Sequence, residues 1–348
     1  MARRRIVIAG AGAIGASIAY HLALLGAERV VLCDIGEIAS GATGKAMGGV
    51  RQQFSTAAEV RLAQASIEFF RELGAPFFSD VGYLFLATTA EGLENLRARA
   101  ELQRGLGVPV EDVDPGAVDG LRTDDVLGAV ICREDGVADP PRTARELVSR
   151  AAERGVEVRE DTDARKVDGD VLVVACGWQS AELMPELPIR PLVRQLVEVG
   201  PVEGLSSTLP MVVEEETTFH FRRRDACLRL AYREPNARWS SDEVVDEGLV
   251  REVRERLEHR YPRAAGAPVE RAWAGLYDMT PDAHPIVGPL GADAYVAAGF
   301  SGHGFMQSPA VGRAVAEELL GLEPAFDLTP YRLERFAGDE VFPEELVL

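Results

Sequence analysis

Three glycines and one carboxylate are the first residues in this chain whose types and spacing suggest chemistry. Gly10-Ala11-Gly12-Ala13-Ile14-Gly15 follows a short apolar run, residues 5–9, and opens a stretch of helical spacing, residues 12–26. Asp34 ends the next apolar run, residues 29–34. In such a strand–turn–helix unit the first glycine permits the tight turn. The second lets a pyrophosphate approach the backbone, and the third lets helix and strand pack closely. The diphosphate then meets the positive end of the helix dipole. Asp34 is placed to accept hydrogen bonds from ribose hydroxyls, which argues against a 2′-phosphate. The unit predicts dinucleotide binding and leaves FAD and NAD both open. The loop that follows, Ser40-Gly41-Ala42-Thr43-Gly44-Lys45-Ala46-Met47-Gly48-Gly49-Val50-Arg51, is built of small residues and can lie flat against a planar ring. A nicotinamide enzyme would normally continue there with a helix and further parallel strands.

The elements that must position these residues are legible in outline. The 348 residues, 47% hydrophobic and 27% charged, suit two domains, or one large domain with an elaborated lobe. A net charge of -19 makes nucleic acid and anionic membrane poor partners. Cys33, Cys132, Cys176 and Cys227 are far apart with no CxxC pair, so neither a zinc site nor a disulfide framework is expected, and a reducing cytoplasm fits. Arg3, Arg4 and Arg5 precede an uncharged stretch, 6–27, with the length of a signal peptide or membrane span. Its glycine spacing, and Tyr20-His21 within it, favour a soluble βαβ unit instead.

Helices are expected at 56–73, with Thr56 as N-cap and Glu59 completing a capping box, at 91–106, from Pro140-Pro141 to Arg154, at 247–261 and at 307–320. In the first helix Ile14, Ile18, His21, Leu22 and Leu25 share one side, and Gly26 is a helix stop. Strands are expected at 81–88, 156–159, 171–175, 192–199, 211–214, 219–222, 228–232 and 295–298, with a glycine turn at 299–304. These parts predict a parallel α/β layer made from both ends of the chain, with a β-rich insertion between.

Taken together, the motifs resemble the D-amino-acid oxidase superfamily of FAD enzymes, in its sarcosine oxidase and glycine oxidase branch. The resemblance covers nearly the whole chain. Beyond the glycine loop and Asp34, it rests on SGATGKAMGGVRQQF (40–54), VLVVACG (171–177) and LPIRPLVRQ (187–195). GLYDMTPDAHP (275–285) and GFSGHGFM (299–306) are its most specific segments. It implies an α/β (α+β overall) architecture: a Rossmann-like FAD-binding domain of glutathione-reductase type with an inserted β-rich substrate domain. The expected division is 1–80, 135–185 and 270–348 for FAD, and 81–134 and 186–269 for substrate. FAD contacts are expected from Gly10, Gly12, Ala13, Ile14, Gly15, Asp34, Ser40, Thr43, Lys45, Ala46, Gly48, Gly49, Val167, Ala175 and Gly177. Gly299, Gly302, His303, Gly304, Phe305 and Met306 complete that set. Backbone N–H groups of this last turn, with the helix behind it, would stabilise negative charge on the reduced ring.

Departures from the family pattern sharpen the expectation. Covalent flavin attachment in the family uses a histidine in the early loop or a cysteine before the tyrosine-containing motif; here Lys45 and Gly275 stand there, so FAD is expected to be non-covalent. The lysine that promotes reaction with oxygen corresponds to Arg229. Of the carboxylate-binding pair, Arg51 fits the arginine, whereas Met306 stands in place of the lysine. Arg233, at a family histidine position, could compensate as a bidentate partner. Tyr277 and His303 are candidates to line the pocket; His220 and His284 read as structural. The ten residues between Glu160 and Val171 replace a longer β-meander near the adenine.

The activity implied is oxidation of a C–N bond beside a carboxylate in an amino acid or secondary amine of sarcosine, glycine or proline type. The neutral amine gives hydride to flavin and the imine hydrolyses in water. Oxygen or another electron acceptor completes the cycle. Alternatives are a tailoring enzyme for a larger amine, an FAD subunit of a hetero-oligomeric dehydrogenase, and a non-catalytic flavin-binding protein; a homo- or hetero-oligomer is compatible with the reading. An NAD-linked dehydrogenase is disfavoured by the C-terminal glycine turn.

Overall fold

The computed structural model describes residues 4–338 except 235, together with 343, 347 and 348. The chain divides into two compact units. One comprises Met1–Ala46, Asp139–Leu192 and Leu276–Val347; the other comprises Met47–Ala138 and Val193–Gly275 with Leu348. The architecture is mixed α/β.

The first unit is organised by a six-stranded sheet in the order Ile286–Pro289, Ala294–Ala298, Val171–Val174, Ile6–Ala9, Val30–Cys33, Glu157–Arg159. Every pairing is parallel except the first, which is an antiparallel hairpin. The central strands are short, apolar and buried, as parallel strands covered on both faces must be. On one face, Val7, Ala9, Val31 and Cys33 pack with Ala164 and Val167. This is where the short segment after Glu160 goes: a single turn, Ala164–Lys166, closes the sheet face in place of a meander.

The helix Ala13–Leu24 packs against the helices Pro140–Ala152 and Gly304–Leu319. Its contact with the latter is so close that a Cβ on Gly312 would lie 2.2 Å from Ser17 Oγ. The helix ends as the glycine stop implies. Gly26 N–H donates to Ala23 O and Ala27 N–H to Leu22 O, the paired bonds of a Schellman motif. Leu25 is a correction: it is 41% exposed, because it lies past the last helical turn and has left the packed side.

The second unit carries an eight-stranded sheet, ordered Val269–Met279, Arg190–Val199, Cys227–Ala231, His220–Arg224, Met211–Glu214, Tyr83–Ala87, Gly128–Cys132, Val110–Asp112. Its core face is apolar. Leu84, Leu86, Val197, Val212, Phe219, Phe221, Leu228 and Leu230 pack with Val250, Val253, Leu257 and Tyr261 of the helix Glu247–Arg260 and the residue after it. A small sheet of Gly49–Val50, Gly136–Ala138 and Phe78–Ser79 draws residues 47–80 into this unit. The helix Ala57–Leu73 starts at Thr56, whose hydroxyl accepts from Glu59 N–H at 3.4 Å.

Several elements differ from the sequence reading: the strands Val110–Asp112, Gly128–Cys132, Gly136–Ala138 and Ile286–Pro289 were not among those expected. The closing helix begins at Gly304, not Gln307, and the segment around Tyr277 is the end of an eleven-residue strand, Val269–Met279. Glycine at 304 hid the first turn of the helix, and the charged start of the strand (Val269-Glu270-Arg271) hid its alternation. No helix among the described residues is long and apolar enough to cross a membrane.

His21 is buried, with Nδ1 2.8 Å from Ser17 O, and burial pushes its pKa down to about 4. The unfolded chain therefore takes up a proton on this ring at a pH where the folded chain does not. This stability is intact above the ordinary histidine pKa and is lost as the pH falls below it. Between pH 7 and 5, wild type should lose about 2 kcal/mol more stability than His21→Asn, measured by urea unfolding. Equal slopes would show that the ring protonates freely in the folded state.

Candidate functional site

In the first unit the site begins where the parallel strands end. Gly10 has φ +100°, and a Cβ there would lie 2.4 Å from Ala175 O, so neighbouring strand ends converge on this turn. A Cβ on Gly15 would lie 1.8 Å from Gly10 O, so the helix starts directly on its own loop. Gly12 is the N-cap of that helix, with Ala13 and Ile14 in its first turn. Asp34 reaches back to the loop: Oδ2 accepts from Ala11 N–H at 2.7 Å and Oδ1 from Gly36 N–H at 2.9 Å. Thr43 Oγ1 accepts from Ala13 N–H at 3.0 Å. Gly177 lies at the same end of the sheet, where Cys176 Sγ donates to Ala9 O at 3.2 Å. Burial pushes the Cys176 thiol up to about 12.

Ser40 is exposed, its hydroxyl donating to Glu37 O at 2.7 Å. Lys45 closes the short helix Ala42–Lys45, with Ala46 as its C-cap. Val167 is set in the apolar cluster under the sheet.

The turn at 299–306 is held from one side by the end of the long strand. Asp278 Oδ2 accepts from Gly299 N–H at 2.8 Å, and Asp278 O from Ser301 N–H at 3.2 Å. Burial raises the Asp278 carboxyl above its ordinary range, against the pull of backbone N–H donors. The Tyr277 ring lies on Gly302, where a Cβ would fall 2.3 Å from the ring edge. His303 is buried and forms the N-cap of the helix, so Gly304, Phe305 and Met306 supply its first-turn N–H groups. Pro309, inside the helix, offers no N–H to Phe305 O, and Ser308 Oγ donates to that carbonyl at 2.9 Å.

In the second unit, Gly48 O accepts from Ala138 N–H at 2.8 Å. Gly49 sits so close to Tyr83 that a Cβ would lie 2.9 Å from its hydroxyl. Arg51 is 1% exposed, donates to Gln53 O, and stands 4.1 Å from the Phe54 ring centroid. The strand register puts a row of charge on the sheet face opposite the apolar core, with Glu198 opposite Arg229 and Arg229 opposite Arg222. Arg229 pairs with Glu198 at 3.1 Å and lies 4.9 Å from the Trp273 ring. Arg222 donates to Met47 O at 2.7 Å. His220, on the same face, is buried with Nδ1 2.7 Å from Thr218 O. Burial, with Arg51 and Arg194 adding to it, pushes its pKa down to about 4. A carbonyl only accepts, so Nδ1 carries the proton and Nε2 of the neutral ring a lone pair. Arg233 is exposed just past Cys227–Ala231, its main-chain N–H donating to Thr218 Oγ1.

A family model described as DAO, FAD dependent oxidoreductase, matches residues 5–318. The chain belongs to this family of FAD-dependent oxidoreductases. Glycine oxidase of Geobacillus kaustophilus is 27% identical over 97% of this chain and 98% of its own length. The 4-methylaminobutanoate oxidase (formaldehyde-forming) of Paenarthrobacter nicotinovorans is 25% identical over 97% of this chain, which spans only 46% of that protein. Among solved structures, L-proline dehydrogenase of P. horikoshii is 28% identical, with a TM-score of 0.90 over 97% of this chain and 99% of that one.

The donor set of this oxidoreductase suits FAD. The loop from Gly10 to Gly15 is packed so closely on Ala175 O, Thr43 and its own backbone that only glycine fits at 10 and 15. Asp34 keeps acceptor capacity beyond its two backbone bonds, because a carboxylate offers about four lone-pair positions. The Thr43 hydroxyl, an acceptor toward Ala13, keeps its own proton to give to an anionic oxygen.

Sequence reasoning passed over Asp278, Arg194, Gln53 and Asp135. Arg194 and Asp278 stood inside motifs read as wholes, and an acid–glycine pair such as Asp135-Gly136 reads as an ordinary turn. Gly302→Ala should destabilise the protein by about 2–3 kcal/mol, since φ is +93° and the new methyl meets Tyr277. An unchanged urea midpoint would mean that Tyr277 does not pack there.

Proposed function

We propose that this FAD-dependent oxidoreductase oxidises the C–N bond of an amino acid or N-alkyl amino acid. The observation that carries the reading is the buried Arg51 guanidinium, directly after the small-residue loop, in a unit whose long strand carries the buried Arg194. Glycine, L-proline and 4-methylaminobutanoate, the compounds in the relatives' names, each combine an amine with a carboxylate. Arg51 would take that carboxylate through paired charge-assisted hydrogen bonds, and Arg194 would reinforce the positive potential. Holding the acid end fixes the neighbouring C–N bond in one orientation, the main service a protein gives such a reaction. FAD, when bound, supplies the hydride acceptor. The cofactor would be held non-covalently by the Gly10–Gly15 loop, Asp34, Thr43 and the first-turn N–H groups of Gly304, Phe305 and Met306. Tyr277 and His303 would border the reacting end, and the imine product hydrolyses in water.

The test is direct. The purified protein should be yellow and release FAD on denaturation. In an anaerobic cuvette it should bleach with N-methyl or cyclic amino acids. A chromophore that stays with the denatured chain would overturn the non-covalent reading, and a flavin that no amino acid bleaches would sink the activity. With an amino acid that bleaches it, Arg51→Gln should raise KM about a hundredfold, the scale of a lost buried charge pair.

One observation favours a dehydrogenase over an oxidase. Arg229, at the position where the family places its oxygen-promoting lysine, is engaged by Glu198, which offsets its positive charge. Anaerobically reduced protein should then be reoxidised faster by a quinone or dye than by oxygen.

A further inference from the structure

Asp135 is fully buried and immediately precedes the strand Gly136–Ala138. That strand pairs with Gly49–Val50 in the register Val50 opposite Gly136. One step further along the ladder, Asp135 comes opposite Arg51. Its carboxylate is committed to the two residues after Arg51. Oδ1 accepts from Gln52 N–H at 3.0 Å and from Gln52 Nε2 at 3.0 Å, and Oδ2 accepts from Gln53 Nε2 at 3.1 Å. Gln53 Nε2 also donates to Tyr83 O at 3.0 Å, and Gly82 N–H donates to Asp135 O at 2.8 Å. Both ends of this bracket are therefore tied to the strand Tyr83–Ala87 or the residue before it.

The guanidinium of Arg51 in turn bonds Gln53 O, so its direction depends on where Gln53 is held. A buried carboxylate costs several kcal/mol unless donors surround it; here the Gln52 and Gln53 N–H groups do so beside the Cys132 thiol, and burial still pushes the Asp135 carboxyl up to about 6. Only a carboxylate accepts on both oxygens. An amide at this position would turn an NH2 toward one of the two glutamines.

We propose that Asp135 is the positioning residue for Arg51: through Gln52 and Gln53 it aims the guanidinium at the substrate carboxylate without itself touching substrate. The inference rests on the proposed role of Arg51, and a double-mutant cycle in the FAD-loaded protein separates the two. With the amino acid that bleaches the flavin, Asp135→Asn should raise KM about tenfold with kcat little changed, the effect of one mis-set charged hydrogen bond. Added to Arg51→Gln, the same change should have no further effect on KM, because the two act through one contact. Gln53→Met, which removes the middle link and spares the acid, should reproduce the rise in KM and serves if Asp135→Asn does not fold.

An unchanged KM in Arg51→Gln would remove the reading of Arg51. A raised KM there beside an unchanged KM in Asp135→Asn, or in Gln53→Met where the former does not fold, would remove only the positioning role. A rise equally large with and without Arg51 would assign Asp135 to general stability instead.

Discussion

Everything in the first unit depends on a shortage of space where its parallel strands end. Parallel strands with hydrogen bonds on both sides deliver their chain ends to one edge of the sheet. At that edge Gly10 has no room for a side chain beside Ala175 O, and Gly15 none beside Gly10 O. The helix must therefore start at once, its N–H groups directed at the edge, and Asp34 must fold back onto the loop it follows. The glycine loop is thus a consequence of strand packing, with one carboxylate and one threonine added to set its polarity.

The second unit solves a different problem. One face of its large sheet is sealed by aromatic and aliphatic residues, whereas the opposite face carries arginines that a sheet in water would leave to solvent. Here they are satisfied within the protein: Arg222 by backbone carbonyls, Arg229 by Glu198 and Trp273. Burial, with the charge of Arg51 and Arg194 added, keeps His220 on this face neutral at neutral pH.

Much of this was legible in the sequence, for identifiable reasons. The buried strands Ile6–Ala9 and Val171–Val174 are continuous apolar runs, and the glycine spacing between strand and helix has few other uses. Thr56 and Glu59 announced a helix start where the structure has it, with Thr56 as the N-cap of Ala57–Leu73. What stayed hidden depends on register. That Arg222, Arg229 and Glu198 form a row follows only once three strands are aligned. That Asp135 faces Gln52 requires two segments more than eighty residues apart to pair. The first turn of the closing helix was missed because its residues, Gly304, Phe305 and Met306, carry no helical signature of their own.

Pro309 gives that helix a property its neighbours lack. The ladder of main-chain bonds is interrupted at Phe305 O, and the gap is bridged by the hydroxyl of Ser308. A side-chain bridge can be broken and remade by rotation about one bond, whereas a main-chain rung cannot be released without disturbing the next. The turn bearing His303 stays tied to the helix, with Gln307 N–H donating to His303 O at 3.2 Å, and the shaft is clamped at Gly312 against Ser17. A helix built in this way carries a side-chain rung at its amino end, beside the N–H groups of Gly304, Phe305 and Met306.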